Sequence, residues 1–199
     1  MDKYGVEQDA YCYPNSDVLK NRLSIKDAAE LTDAERDITA AAAEEIEFEP
    51  PPYSLATLRR VHRLLFRDIY DWAGECRSVD IAKGETRFCT AQRIEPEAKK
   101  LFDQLAGRNW LEGLSRYALV RELAEFYGEL NMVHPFREGN GRAQRLLFEF
   151  LIVNAGYEIR WEPVTEKEWQ EANIQSALRC DSSGLEAIFE KCIGRRIPD

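Results

Sequence analysis

Residues 134–145 have the sequence HPFREGNGRAQR and lie between two stretches whose apolar residues recur at helical spacing. The stretch before them can begin at the N-cap residue Ser115, and the stretch after them ends near Gly156. The pattern predicts two buried helices that hold a polar loop between them. The apolar residues concerned are Val120, Leu123, Ala124, Tyr127 and Leu130 before the loop, and Leu146, Leu147, Phe150 and Leu151 after it.

The loop has the composition of a phosphate-binding site. Gly139 and Gly141 allow the backbone to turn and to present several N–H groups to one anion, and the following helix points its positive end the same way. Arg142 and Arg145 are three residues apart on that helix, so both can reach a polyanion. The sequence therefore predicts that a phosphate binds at the start of the second helix.

The same loop carries a base and a carboxylate. His134 can accept a proton at neutral pH, as a general base does. Glu138 offers the carboxylate oxygen that a magnesium ion needs between phosphate groups. Base, anion cradle, cations and metal ligand together favour chemistry on a nucleotide phosphate.

Helices are predicted along most of the chain. Thr32 and Glu35 form a capping-box pattern that predicts a helix start, and Pro50–Pro52 ends the helix that follows. The predicted helices cover 33–46, 55–70 after Ser54, about 96–107, from Ser115 into the loop, from the loop to about Gly156, from Thr165 through 178, and 185–193.

One short β-hairpin is predicted between the second and third helices. Residues 79–81 and 87–89 flank a turn at Lys83-Gly84-Glu85-Thr86, and no other stretch gives a convincing strand. The fold class is therefore all-α, a helical bundle with one hairpin. We expect a single domain over 1–199, with a helical core at about 54–194 and an N-terminal helical extension at about 1–50.

Composition excludes several classes of protein. A chain of 199 residues with 44% hydrophobic residues can bury a sizeable core, and its net charge of −9 disfavours general adhesion to nucleic acids or membranes. Five cysteines without a C-x-x-C pair favour reduced thiols over a disulfide framework or a zinc site. No signal peptide or membrane span is visible in the sequence. We expect a cytoplasmic protein, and secretion as an effector without a signal peptide stays open.

The loop resembles the signature H-x-F-x-[DE]-G-N-G-R-x-x-R of the Fic family at every fixed position. Seven invariant positions and one restricted position match at the required spacing. Residues 70–74 (YDWAG), 79–81 (VDI), 11–14 (YCYP) and 21–23 (NRL) also look like this family, so the resemblance covers nearly the whole chain. The chain looks most similar to small bacterial Fic toxins that pair with a separate helical antitoxin.

This resemblance implies a Fic fold and transfer of AMP from ATP to a hydroxyl side chain of a target protein, with release of pyrophosphate. It implies that His134 is the general base, that Glu138 holds Mg²⁺ and that the buried Phe136 anchors the loop. The implied nucleotide-binding residues are Gly139, Asn140 and Gly141 at the α-phosphate and Arg142 and Arg145 at the β- and γ-phosphates.

In this family the hairpin is a flap that pairs with the backbone of the target, which is β-strand addition. The flap residues of this chain would be Asp80, Ile81, Lys83, Gly84, Thr86 and Phe88, and an ordinary surface hairpin is the alternative. By analogy with the relatives that look most similar, the targets would be type II DNA topoisomerases (gyrase and topoisomerase IV) at their ATPase subunit.

An inhibitory motif that many relatives carry, [ST]-x-x-x-E-[GN], is absent from the sequence. Only Glu112 and Glu138 precede Gly or Asn, and neither has Ser or Thr four positions earlier. The nearest approach, Ser182 to Glu186, is followed by Ala187. The sequence therefore predicts inhibition by a small antitoxin that places its own glutamate against Arg145.

Alternative functions stay open at this point. Some relatives transfer UMP, phosphocholine or phosphate instead of AMP. A non-catalytic interaction module could bind a nucleotide with the same loop, and a phosphohydrolase would need only water as the acceptor.

Three further features are expected to be structural. They are the second histidine, His62, as a hydrogen-bonded core residue, the basic stripe Arg59, Arg60, Arg63 and Arg67 as a solvated face, and Trp161 and Trp169 as core residues rather than adenine-stacking groups.

Overall fold

The computed structural model describes residues 9–198, most of which are helical. The helices are α1 (Ala28–Glu44), α2 (Leu55–Phe66), α3 (Ile94–Gly107), α4 (Arg116–Val133), α5 (Asn140–Asn154), α6 (Glu166–Arg179) and α7 (Ser183–Cys192). Two short 3₁₀ turns cover Ala91–Arg93 and Asn109–Leu111. The all-α fold class is confirmed.

Side-chain caps fix three helix starts where the sequence predicts them. Ser54 and Thr165 each form a capping box, and Ser115 accepts a hydrogen bond from the backbone N–H of Ala118. The start predicted with Thr32 as the N-cap is wrong, because α1 begins at Ala28 with Asp27 as its N-cap, five residues earlier. The Asp27 carboxylate accepts from the N–H groups of residues 29 and 30, at 3.0 and 2.9 Å.

The predicted hairpin is present and is shorter than expected. Its strands β1 (Ala82–Lys83) and β2 (Thr86–Arg87) pair antiparallel around Gly84, whose φ of 58° suits a tight turn. A second antiparallel pair, β3 (Tyr157–Ile159) with β4 (Ile193–Arg196), corrects the expectation of a single β element. These strands are short and far apart in the chain, so sequence alternation gave no signal for their pairing.

Helices α4 and α5 form the centre of the fold. Helix α4 contacts α3, α5, α6 and α7, while α5 packs on α2, which in turn packs on α1. One cluster of buried apolar residues extends from Cys12 to Ile193. In the N-terminal extension, α1 is the helix, and residues 9–27 form turns and an isolated bridge between Cys12 and Leu19.

The thiols match the expectation from composition. All five cysteines lie within the described residues, and each is a free thiol. No helix within residues 9–198 is long and apolar enough to cross a bilayer.

Candidate active site

The motif loop connects the end of α4 to the start of α5 through two left-handed residues. His134 caps α4 with φ 46° and ψ 62°, and its N–H donates to the Leu130 carbonyl at 3.2 Å. Gly139, with φ 79°, precedes the first residue of α5. Both ends of the loop are therefore tight turns, and five residues separate His134 from the first residue of α5.

Buried hydrogen bonds fix the conformation between these ends. The Asn140 side chain accepts from the Phe136 N–H and donates to the Phe136 carbonyl, both at 2.8 Å. The fully buried Phe136 ring stacks on His62 at 3.9 Å between centroids, as an anchor of the loop would. His62 Nε2 donates to the Glu138 carbonyl at 2.9 Å, so the second histidine is the hydrogen-bonded core residue that the sequence predicts.

The residues predicted to bind phosphate lie at the start of α5. The first backbone N–H groups of a helix have no intrahelical acceptor and face an incoming anion. The Asn140 side chain already hydrogen-bonds to Phe136 within the loop, so Asn140 can offer a ligand its backbone N–H but not its side chain. The backbone N–H of Gly141 can also bind a ligand. The Gly139 N–H donates to Glu138 Oε1 at 2.9 Å.

His134 has the tautomer and the charge of a general base. Its Nδ1 donates to the Asn131 carbonyl at 3.0 Å, which leaves the basic lone pair on Nε2. The Phe88 ring stacks on the imidazole at 3.8 Å and 18° between planes, and His134 is only 8% exposed. Burial, which disfavours the imidazolium, lowers the pKa of His134 to about 3. The imidazole is therefore neutral at pH 7.

We expect Phe88→Ala to raise the pKa of His134 towards the ordinary value of about 6.5, because water then reaches the ring. An NMR titration can follow both histidines. Burial lowers the pKa of His62 to about 4, and this pKa should not change in the variant, so His62 is an internal control. An unchanged His134 pKa in Phe88→Ala would contradict the stacking.

In the unfolded chain both imidazole rings take up a proton below a pH of about 6.5, whereas in the native chain they stay neutral there. The free energy of unfolding should therefore fall as the pH drops below that value.

The two arginines of the motif differ in their surroundings. Arg145 forms no hydrogen bond or ion pair within residues 9–198, and its Nη1 lies 3.9 Å from where a Cβ on Gly141 would be. Arg142 already donates to the Glu35 carboxylate on α1 at 2.5 Å and to Thr39 at 3.4 Å. The sequence predicted equal roles for the two arginines and gave no sign of the Glu35 pairing.

Glu138 fits a magnesium site in which the nucleotide phosphates supply part of the metal's coordination shell. Its carboxylate lies beside the α5 N-terminus, 3.6 Å from Arg142. No three His, Cys, Asp or Glu side chains among the described residues form a metal-binding group. Magnesium in nucleotide sites needs only one or two carboxylates, because phosphates and water complete its shell. A single carboxylate beside the phosphate cradle meets that requirement.

The predicted flap covers His134 through its last residue, Phe88. At its base, Asp80 accepts a hydrogen bond from the Ala91 N–H at 2.7 Å, which ties the two ends of the flap together. Ile81 and Thr86 are buried, whereas Lys83 and Gly84 at the tip are exposed. The predicted flap residues therefore divide into an anchored base and an exposed tip.

Arg77 is a buried site residue that sequence reasoning missed. Its Nε donates to the His134 carbonyl at 2.8 Å, and Nη2 donates to Val133 at 3.4 Å. The same guanidinium donates to the carbonyls of Val79 at 2.6 Å and of Cys89, at the two ends of the flap. One side chain thus ties the flap to the end of α4. A lone arginine outside the motif gave no signal for this role.

We expect Arg77→Met to lower the free energy of unfolding by about 3 kcal/mol or more, since several carbonyls lose their donor and each unsatisfied buried group costs about 1–3 kcal/mol. Urea unfolding measures this loss. The matched control is Arg87→Met on the exposed side of the same hairpin, which should change stability by about 0.5 kcal/mol or less. Equal losses in the two variants would contradict the role of Arg77.

The remaining features of the sequence are structural, as expected. Trp169 is buried and Trp161 packs against the core beside it. The basic stripe on α2 is solvated and neutralised by acids of the same chain. Its ion pairs are Arg59 and Arg63 with Glu75, Arg60 with Glu49, and Arg67 with Asp68.

Comparison with known proteins agrees with this geometry. The family model described as "Fic/DOC family" matches residues 52–152. The chain is 42% identical over 192 residues to "Probable protein adenylyltransferase Fic" of Escherichia coli (strain K12), covering 96% of each chain. Its structure is similar to that of BepC, a VirB-translocated effector of Bartonella tribocorum with bound AMPPNP (TM-score 0.87, 28% identity, 94% and 97% of the two chains). It is also similar to the ADP-bound Fic domain of a Bartonella quintana effector (TM-score 0.86, 32% identity, 94% and 95%). The chain belongs to the Fic/DOC family.

Proposed function

We propose that this enzyme, a nucleotidyltransferase of the protein adenylyltransferase class, transfers AMP from ATP to a hydroxyl side chain of a target protein and releases pyrophosphate. The observation that carries the proposal is a neutral His134 fixed as the Nδ1–H tautomer, in the loop that leads directly into the N-terminus of α5. Relatives crystallised with AMPPNP and ADP support a nucleotide at this site.

In the proposed reaction His134 Nε2 takes the proton from the target hydroxyl, whose oxygen attacks the α-phosphorus. The new oxygen–phosphorus bond forms as the bond from that phosphorus to the pyrophosphate oxygen breaks. The α5 amides hold the α-phosphate, while Arg142 and Arg145 hold the outer phosphates and the leaving group. Glu138 would hold Mg²⁺, which supplies charge neutralisation on the phosphates when bound. The base alone is worth about 10²–10⁴ in rate.

The flap is proposed to dock the target. A segment of the target that adds as a strand to the hairpin would carry its hydroxyl along the flap towards His134. The Phe88 ring lies on the imidazole, so docking has to displace this ring or slide past it. The half-buried Phe88 side chain is then the apolar group available to hold the target segment, whereas Ile81 is buried and supports the flap from below.

Inhibition in trans is the proposed regulation. A cavity of about 900 Å³ lies between α1 and α5 and reaches Arg145, the motif cation without an ion pair among residues 9–198. A small helical antitoxin could place a glutamate there and block the γ-phosphate. This proposal predicts that the purified chain is active by itself. An inactive purified chain that becomes active when one of its own glutamates is substituted would contradict inhibition in trans.

The proposed biological setting is a toxin–antitoxin pair acting in the cytoplasm, with type II topoisomerase ATPase subunits as targets. This part rests on the resemblance to small bacterial Fic toxins. We further propose that residues 1–199 act as one Fic domain, which the single buried cluster from Cys12 to Ile193 supports.

The test incubates the purified chain with bacterial lysate, magnesium and ATP labelled either on the α- or on the γ-phosphate. AMP transfer puts the α-label on protein and leaves the γ-label in pyrophosphate. The same lysate without the chain gives the background from its own kinases and ATPases, and a parallel reaction contains labelled UTP. Above that background, protein labelled from γ-labelled ATP would indicate phosphate transfer, and protein labelled only from UTP would indicate UMP transfer. Additional free phosphate without additional labelled protein would indicate a hydrolase, and no change from the background would indicate a binding module. Each of these four results would contradict the proposal.

A further inference from the structure

A carboxylate outside the motif contacts the phosphate-binding arginine. Glu35 projects from α1 so that its Oε2 accepts from Arg142 Nη2 at 2.5 Å, and it is only 8% exposed. Its other oxygen, Oε1, accepts a hydrogen bond from the Tyr70 hydroxyl. Glu35 lies outside the residues that the family model matches. Both oxygens of this buried carboxylate are therefore held within the protein.

The Arg142 guanidinium is held from several sides. Its Cζ lies 4.6 Å above the Phe66 ring, and Nη1 donates to the Thr39 hydroxyl at 3.4 Å. A second carboxylate, Glu138 Oε1, lies 3.6 Å from Nη2. Two acids thus share one guanidinium, and Glu138 is the one that fits magnesium. The distances show that Glu35 has the closer contact.

We propose that Glu35 is a positioning residue that holds Arg142 at the phosphate site and keeps it away from Glu138. This inference rests on the proposed function. If the charge on Glu35 is lost, Glu138 is the remaining carboxylate within 4 Å of Arg142 among the described residues. The guanidinium then moves towards Glu138, which weakens its contact with the outer phosphates and blocks the carboxylate that would hold the metal.

Burial decides between this role and competition with the nucleotide. A carboxylate that merely masked Arg142 would have to release it when phosphate binds. Release would leave a buried, hydrogen-bonded carboxylate without its cation, which is costly. Arg142 has further N–H donors, so a phosphate can bind to it while the contact with Glu35 persists.

The experiment measures the affinity of Glu35→Gln for AMPPNP and for AMP by calorimetry in the presence of magnesium. We expect the Kd for AMPPNP to rise about tenfold, as loss of a charged hydrogen bond would give, and the Kd for AMP to stay within about twofold, since AMP lacks the outer phosphates. Tyr70→Phe removes only the support of Glu35 and should shift the AMPPNP affinity the same way by less. Glu30→Gln, an exposed carboxylate on the same helix, is the matched control.

A double-mutant cycle separates positioning from general damage to the fold. In the Arg142→Ala background, Glu35→Gln should have no further effect on the Kd for AMPPNP. Tighter binding of AMPPNP by Glu35→Gln, equal losses for AMPPNP and AMP, or unchanged binding of both would each overturn the proposal. A selective loss for AMPPNP in an enzyme that transfers no α-label would contradict the proposed function while it supports the role of Glu35.

Discussion

His134→Ala should lower kcat for transfer of the α-label about 10²–10⁴-fold, the usual contribution of a positioned general base. The reason lies in the geometry of the ring, which is neutral at pH 7 and fixed as the Nδ1–H tautomer by the Asn131 carbonyl. Affinity for AMPPNP should change little, because in the proposed site the α5 amides and the arginines hold the phosphates. Single-turnover kinetics and calorimetry measure these two quantities separately.

The control for this variant is its fold. The His134 side chain donates to the Asn131 carbonyl within the last turn of α4 and carries no charge at pH 7, so circular dichroism and thermal unfolding should remain close to those of the unchanged chain. A folded His134→Ala protein that still transfers label at the original rate would show that another group takes the proton. In that case the assignment of the base is wrong.

Gly139→Ala should be the most damaging glycine-to-alanine change among the glycines that the structure describes. A Cβ there would lie 2.3 Å from the Phe66 Cζ, and the backbone has a φ of 79° that side chains rarely adopt. The left-handed backbone costs about 1–2 kcal/mol and overpacking about 1–3 kcal/mol more. We expect a loss of about 2–5 kcal/mol in urea unfolding. The Kd for AMPPNP should rise at least about tenfold, because the displaced turn moves the first amides of α5.

Gly113→Ala is the matched control for that variant. Gly113 has a similar φ of 73°, but a Cβ there meets nothing within 4 Å. Its loss of stability should be about 1–2 kcal/mol from backbone strain alone, with no change in nucleotide affinity. Equal effects of the two substitutions would mean that the close approach to Phe66 is not what requires a glycine at position 139.

Local signals in the sequence explain which parts of the fold were predicted. Caps at Ser54, Ser115 and Thr165 depend on residues within one turn, so the sequence shows them directly. The capping-box pattern at Thr32 was misleading because Asp27, one turn earlier, forms a better cap, and Thr32 donates to the Ala28 carbonyl inside α1. The pairing of β3 with β4 depends on contacts between distant segments, which no local pattern shows.

The site residues also divide into those that the local sequence predicted and those that only the packing of distant segments brings to the loop. Residues 134–145 are contiguous, so their spacing alone predicted the cradle, the base and the two arginines. Arg77 and Glu35 lie far from the loop in sequence and reach it only through the packing of the flap and of α1. A buried arginine that donates to carbonyls, or a glutamate on an alanine-rich helix, has no spacing signature. These contacts could be found only in three dimensions.

In the proposed mechanism, the start of α5 holds a triphosphate so that His134 faces a hydroxyl attacking its innermost phosphorus. A crystal structure of the chain with AMPPNP and Mg²⁺ tests this arrangement. We expect an α-phosphate oxygen within hydrogen-bonding distance of the N–H groups of Asn140 and Gly141, the metal on Glu138, and Arg145 on the γ-phosphate. A nucleotide whose phosphates bind elsewhere, with the amides of α5 facing only water, would contradict it.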